Sequence, residues 1–255
     1  MIRILTIFRI VPDYDQVLKA DWKNVSHLDI SFVSKIFDSF DEGAIEGALR
    51  LKDELVAAGK DVKCTAIGSG YFRDTLLSSL YAAGYDEVIF YENEKVREEV
   101  FLEKAAEDIR SGQYDIIFTG NMSGPMGYRM DGPLISTMLG CPWYADVTET
   151  KYEEGKLDIT VEKDSSYVTY RQSLPCVCSF GNAVNPVLRL FSLKARMEAQ
   201  KKEITRKKLS KFSLTKEDIR IEVKVKENHC QMLDKDNEEI LSFLKTACKE
   251  RRCSK

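Results

Sequence analysis

At 255 residues the chain has room for one large domain, or a domain with an appendage, and for a core that takes roughly 70 to 75% of its unfolded surface out of water. Apolar residues make up 44% and charged residues 31%, which excludes the disordered, collagenous and membrane classes. Thirty-eight basic against 41 acidic residues give a formal net charge of −3, which leaves no general affinity for nucleic acid.

Residues Ile2 to Phe8 predict a buried strand. Its apolar run Ile4 to Phe8 lies between Arg3 and Arg9 and is too short for a signal peptide. No other stretch approaches the ~18 apolar residues needed to span a bilayer, so a cytoplasmic chain is expected. A long irregular stretch follows, to about Phe37, with Pro12 and the acidic Asp13 and Asp15; such a loop in a compact domain is usually functional. The next helix opens at Ser39, with Glu42 at capping-box spacing. It places Ala44, Ile45, Ala48, Leu49, Leu55 and Val56 on one stripe and ends at Gly59. Val62 to Ile67 is predicted as a strand, Arg73 to Ala83 as a helix, Glu87 to Tyr91 as a strand, Lys95 to Arg110 as a helix and Tyr114 to Thr119 as a strand. This alternation implies a parallel sheet with right-handed crossovers.

A Gly- and Met-containing loop after Gly120 leads to a short helix from about Met130 to Leu139, stopped by Gly140 and Pro142. From Tyr144 the apolar period becomes two, with turns at Glu154-Gly155 and Asp164-Ser165, so an antiparallel extension is expected before a buried strand at Cys176 to Phe180. Past about Asn182 the sequence reads as an arm without a core of its own. Its segment Lys194 to Lys211 carries eight basic and two acidic residues, while the remainder of the chain sums to −9. A solvated helix and linker, or a docking surface, fits that charge better than a nucleic-acid site. Ile240, Leu241, Phe243, Leu244 and Cys248 have the spacing of a small amphipathic helix in the tail.

Residue types narrow the chemistry. Only His27 and His229 are available, which weakens triad and His-rich metal readings. Seven scattered cysteines (Cys64, Cys141, Cys176, Cys178, Cys230, Cys248 and Cys253) do not form a secreted disulfide framework and are expected as free thiols. Cys176 and Cys178 face one way on their strand, as small buried residues rather than ligands. In an open parallel sheet ligands gather beyond the carboxyl ends of the strands, where helix N-termini offer free amides. Four segments fall there: Phe8-Arg9, Asp38 to Asp41, Gly68-Ser69-Gly70, and Thr119 to Pro133. Gly68 to Gly70 lacks the third glycine of a dinucleotide fingerprint, and no P-loop pattern exists. Together the segments suggest a nucleotide across the strand tips, with Arg9 or Arg129 as phosphate counter-charge.

The sequence resembles the beta subunits of electron transfer flavoproteins from Ile2 to about Ile204. The resemblance is carried by Phe8-Arg-Ile-Val-Pro-Asp13, Phe40-Asp-Glu-Gly-Ala-Ile-Glu-Gly-Ala-Leu-Arg-Leu-Lys52 and Ala83-Gly-Tyr-Asp86. Thr119-Gly120 with Gly132-Pro133, Leu139-Gly-Cys-Pro142, and Met197 to Ile204 complete it. No single piece is specific; their order and spacing are. The resemblance implies a three-layer α/β sandwich of the adenine-nucleotide-hydrolase type with a mostly parallel sheet, here a nucleotide-binding domain over 1–190 and a partner-docking C-terminal arm and tail over 191–255. It also implies a heterodimer with an alpha subunit that holds the redox FAD, AMP or, in electron-bifurcating forms, a second FAD in this subunit, and exchange with a flavin-dependent dehydrogenase such as acyl-CoA dehydrogenase.

Carried over position by position, the nucleotide contacts would be Ile7, Arg9, Asp38, Ser39, Phe40, Asp41, Gly68, Ser69 and Gly70, then Gly120, Asn121, Met122, Ser123, Gly127, Tyr128, Arg129, Met130 and Gly132. Tyr14 and Phe40 match positions near the benzenoid edge of the partner's flavin, although Phe40 suits a staple at the helix entry equally well. Leu193 matches a leucine that anchors in the partner dehydrogenase. The chain departs from the family where Asn-Pro is Asp38-Ser39, where Asp-Gly-Asp-Thr is Pro125-Met126-Gly127-Tyr128, and where glutamine is Met130; these departures leave AMP, FAD and loss of the nucleotide all open. The leading reading is an electron-carrier subunit that catalyses nothing alone. A stand-alone adenine-nucleotide binder is the second. An adenylating enzyme would need a Ser-Gly-Gly type loop where Arg9-Ile10-Val11-Pro12 stands.

Overall fold

A computed structural model describes residues 1–17, 30–92, 98–123, 127–184, 186–209 and 242. The chain divides into two compact units, Met1–Glu217 and Asp218–Lys255, and the architecture below is that of the first. The predicted helix start at Lys95, the dipeptide Pro125-Met126, both histidines, and Ile240, Leu241, Phe243, Leu244 and Cys248 lie outside the described residues.

Strand β1 (Ile2–Pro12) is followed by a single 3-10 turn (Tyr14–Gln16), β2 (Lys35–Phe37), α1 (Ser39–Ala57), β3 (Val62–Gly70), α2 (Asp74–Ala83), β4 (Glu87–Glu92), α3 (Glu98–Ser111) and β5 (Ile116–Gly120). A small ladder of β6 (Met122–Ser123) and β7 (Gly127–Tyr128) precedes α4 (Asp131–Leu139). Then come β8 (Trp143–Glu153), β9 (Lys156–Lys163), β10 (Ser166–Gln172), β11 (Cys176–Phe180), α5 (Leu193–Ala199) and β12 (Thr205–Lys208). The sheet order is β10-β9-β8-β11-β5-β1-β3-β4-β12, parallel from β8 to β12 and antiparallel over β8-β9-β10. This is a three-layer α/β sandwich on a mostly parallel sheet, with the expected antiparallel extension.

Alternation along β1 builds both outer layers. Ile4, Phe8 and Ile10 join the core shared with Ala44, Leu49 and Leu77 of α1 and α2, whereas Leu5 and Ile7 join the one shared with Phe101, Ile109 and Ile135 of α3 and α4. Each fully buried Ile, Leu or Phe contributes about 1.5 to 3 kcal/mol. Cys176 and Cys178 lie fully buried on one face of β11, and burial pushes the Cys178 thiol well above its ordinary range.

Several boundaries differ from the sequence reading for identifiable reasons. β1 runs on to Pro12 because Ile10, Val11 and Pro12 pair with β2, so the irregular stretch ends in a strand. The capping box does not form: the N-cap of α1 is Asp38, whose side chain makes no cap bond, and Glu42 instead accepts the Leu188 N–H at 3.1 Å. The other end of α1 closes as expected, with Gly59 at φ +70 and the Lys60 N–H returning to the Leu55 carbonyl. Residues 188–208 use the body's core: Leu188, Phe191 and Ile204 pack against it, Ala199 is buried, and β12 extends the sheet beside β4. Among the described residues no helix is long and apolar enough to cross a membrane.

Candidate functional site

The carboxyl ends of β1 and β5 meet the N-termini of α1 and α4. The two helices begin where their strands run out, and each carries an acid in its first turn, Asp41 and Asp131, where the helix dipole favours negative charge. Both side chains are fully buried. Arg9, one strand residue past Phe8, points to the α3 side, with its guanidinium 4.2 Å from the centre of the Phe101 ring.

These three residues and Arg129 form one network. Asp41 accepts the backbone N–H of Arg9 at 2.7 Å, that of Gly120 at 3.0 Å, and a hydrogen bond from Nη1 of Arg129. Nη2 of Arg129 bonds to Asp131, whose other oxygen takes Nη2 of Arg9 at 2.9 Å. Arg129 is only 6% exposed. Next to it Asp38, also buried, accepts the Ser123 hydroxyl at 2.5 Å. Burial pushes the Asp41 carboxyl up to about 6 although Arg129 pulls it down, and the neighbouring Asp38 adds to the rise. Taking such ions out of water costs several kcal/mol each, offset only when every lone pair and proton is used. Among the described residues no buried side-chain polar atom lacks a partner.

The glycines the sequence singles out have packing reasons. A Cβ on Gly68 would lie 2.3 Å from the Phe8 ring, and one on Gly120 would lie 2.6 Å from Asp41 Oδ1. One on Gly132 would lie 2.3 Å from both Ser179 Oγ and Trp143 Nε1. Gly70 has φ +114 and backs onto the Ile10 carbonyl oxygen. Behind Gly132, the Trp143 indole N–H donates to Ser179 Oγ at 2.8 Å, and Ser179 shares a 2.8 Å bond with Thr119.

The remaining predicted contacts divide. Ile7 is fully buried in the core on the α3 side. Ser69 is buried beside Arg9 in register. Asn121 gives its side-chain amide to Asp146 at 2.7 Å and its backbone N–H to the Phe180 carbonyl. Met122 pairs with Tyr128, and Ser123 with Gly127, in the small ladder, whereas Met130 is exposed. Ser39 is exposed and Phe40 half-buried in the first turn of α1.

A cleft of 570 Å³ opens beside this network, lined by Val11, Pro12, Asp13, Tyr14, Asp15, Val17, Ile36, Phe37, Asp38 and Ser39. Tyr14 forms part of its wall, and burial raises its phenol. Phe32, 93% exposed, and Ile36 stand on the segment that leads into α1. Leu193 is 73% exposed at the start of α5, which packs on α2.

Sequence reasoning missed Asp131 as the carboxylate shared by both arginines, and Glu46 as the acceptor of Arg189. The signal for the first was an acid immediately before Gly132-Pro133, in the opening turn of a helix. None marked the second, since a glutamate amid an apolar stripe looks like any solvated helix position. Among the described residues no group of three or more His, Cys, Asp or Glu is arranged to hold a metal.

Comparison with known proteins gives one consistent result. The family described as the electron transfer flavoprotein domain matches residues 31–211. The electron transfer flavoprotein subunit beta of Syntrophomonas wolfei is 30% identical over 192 residues, covering 75% of this chain and 74% of that one. The subunit beta of Megasphaera elsdenii is 30% identical over 214 residues, 79% of this chain and 76% of its own. That of Bradyrhizobium diazoefficiens is 25% identical over 216 residues, covering 83% and 84%.

Proposed function

The chain belongs to the electron transfer flavoprotein beta subunit family, and from that premise we propose that it is the beta half of a cytoplasmic heterodimer, whose alpha subunit carries a redox FAD. The observation that carries the reading is the family match over 31–211, which takes in the strand tips of β3 to β5, the ion network apart from Arg9, and the arm as far as residue 211. In this role the chain catalyses nothing. It holds one side of the partner's flavin in place and presents a surface to the dehydrogenase that donates or accepts the electrons.

Two features support the division of labour. The cleft beside the network has apolar walls from Val11, Pro12, Ile36 and Phe37 with Tyr14 among them. That lining suits the uncharged dimethylbenzene edge of a flavin held by another subunit. The arm supplies the second feature. Leu190 is fully exposed, with Val187, Leu193 and Met197 more than half exposed nearby, and Lys194, Arg196, Lys201 and Lys202 follow along the same segment. An apolar anchor flanked by cations fits a dehydrogenase surface that offers a pocket with an acidic rim.

The experiment is anaerobic mixing of the co-purified alpha and beta pair with a substrate-reduced flavin dehydrogenase of the acyl-CoA class, followed through the visible flavin bands. Bleaching of the pair's flavin supports the reading. A flavin that stays oxidised with each dehydrogenase of the source cell counts against it.

A further inference from the structure

The resemblance implies AMP, or a second FAD, at the strand tips of this subunit, and the described residues there do not fit one. A nucleotide phosphate needs free N–H donors and uncommitted positive charge. Here the Arg9 and Gly120 amides are spent on Asp41, the Asn121 amide on the Phe180 carbonyl, and the Arg129 amide on the Asn121 carbonyl. Both guanidiniums are bonded to buried carboxylates. The charge is also of the wrong sign: Asp38, Asp41 and Asp131 face two arginines, so the ionised cluster sums to −1, and protonation of one acid brings it only to zero. The adjoining 570 Å³ cleft adds Asp13 and Asp15 to its lining, which among the described residues includes no basic side chain. The places where a ligand would approach Gly120 and Gly132 are taken by Asp41 and by Ser179 with Trp143.

We infer that Asp41 and Asp131 stand in this chain for the phosphate of a nucleotide, so that the strand tips are closed by a built-in anion and the subunit carries neither AMP nor a second FAD. The carboxylates do structurally what a bound phosphate does, joining β1 and β5 to the first turns of α1 and α4 through Arg9 and Arg129. The inference rests on the beta-subunit reading for what the pair contains, but its own claim concerns this chain's residues alone.

The test is nucleotide analysis of the heterodimer after denaturation, together with calorimetric titration of the isolated chain with AMP. One FAD per heterodimer with no AMP, and no saturable heat, is the expected result. Equimolar AMP and FAD, two FAD per heterodimer, or saturable AMP binding by the isolated chain would overturn the inference while leaving the electron-carrier reading intact. A pair without FAD would count against that reading and not against the inference, which the titration decides separately. Asp131→Asn gives a second measurement: with one carboxylate neutralised, inorganic phosphate is expected to raise the melting temperature of the variant and leave that of the wild type unmoved. A folded variant indifferent to phosphate would show that Asp131 does not occupy an anion's place.

Discussion

Arg189 meets the carboxylate of Glu46 through Nε, 3.2 and 3.1 Å from its two oxygens, and through Nη2 at 3.0 Å, while the backbone N–H of Arg189 reaches the same group at 3.1 Å. Glu46 is 4% exposed in the middle of α1, and one turn earlier Glu42 takes the Leu188 N–H. A helix that is otherwise apolar on its inner face therefore fixes the backbone just before the exposed Leu190. Removing the acceptor leaves a guanidinium and an amide with lost bonds in a half-buried place.

Glu46→Ala is expected to cost about 2 to 4 kcal/mol of stability, below the upper range for a buried pair because Arg189 keeps Asp53 and some water. Amide exchange should rise at Leu188 and Arg189 more than elsewhere. Uniform exchange across the chain would show that Glu46 matters to global stability alone.

Leu193→Ala separates docking from folding. The side chain is 73% exposed, so its loss leaves the melting temperature within about 1 °C of wild type, whereas an anchor buried only in the complex is worth about 1.5 to 3 kcal/mol. Steady-state assay with a flavin dehydrogenase is expected to show KM for the heterodimer raised roughly tenfold or more, with kcat little changed. An unaltered KM removes Leu193 from the contact.

Packing at Gly47 sets helix propensity against sterics. Alanine in a helix interior is better than glycine by about 1 kcal/mol, yet a Cβ here would lie 2.5 Å from the Phe180 ring, which is buried edge-on against Phe118 at 5.3 Å. Displacing a packed ring costs about 1 to 3 kcal/mol, and the ring wins. Gly47→Ala is expected to lower stability by up to about 2 kcal/mol in denaturant titration, and a stabilised variant would contradict this.

The sequence and the structure agree best where a signal is periodic. Alternating strands and helices, the two-residue period from Leu157 to Val161, and Gly59 and Gly140 as helix ends all reappear, because each is decided by local geometry and burial of one face. The site was legible as a place, the strand tips, and less so as a chemistry. Arg9 and Arg129 read as phosphate counter-charges from the sequence, which does not show that Asp41 and Asp131, 90 residues apart by number, both bond to them in the fold. Glu42 looked like a capping residue for the same reason: a distant amide, that of Leu188, claimed it. Long-range polar pairing leaves no period in the sequence.

The buried network also sets a pH response. The Asp41 carboxyl is raised from 3.8 to about 6, chiefly by burial. Below pH about 4 both folded and unfolded chains hold this proton; between about 4 and 6 the unfolded chain releases it while the folded one retains it, so Asp41's contribution to stability falls as pH rises through that window. That rise corresponds to about 3 kcal/mol. Asp41→Asn, which cannot titrate, is expected to be less stable than wild type with that fall removed, so the gap between the two narrows from pH 4 to 6. A constant gap would show that Asp41 titrates in its ordinary range.

The central claim is that this chain is one half of a flavin-bearing pair. The most direct measurement is the absorption spectrum and subunit ratio after purification, for the chain expressed alone and for the chain co-expressed with an electron transfer flavoprotein alpha subunit from the same source. The account predicts a colourless chain alone and a yellow one-to-one complex with one FAD. A chain that carries stoichiometric flavin by itself, or an alpha subunit that purifies yellow and complete without it, would contradict the account.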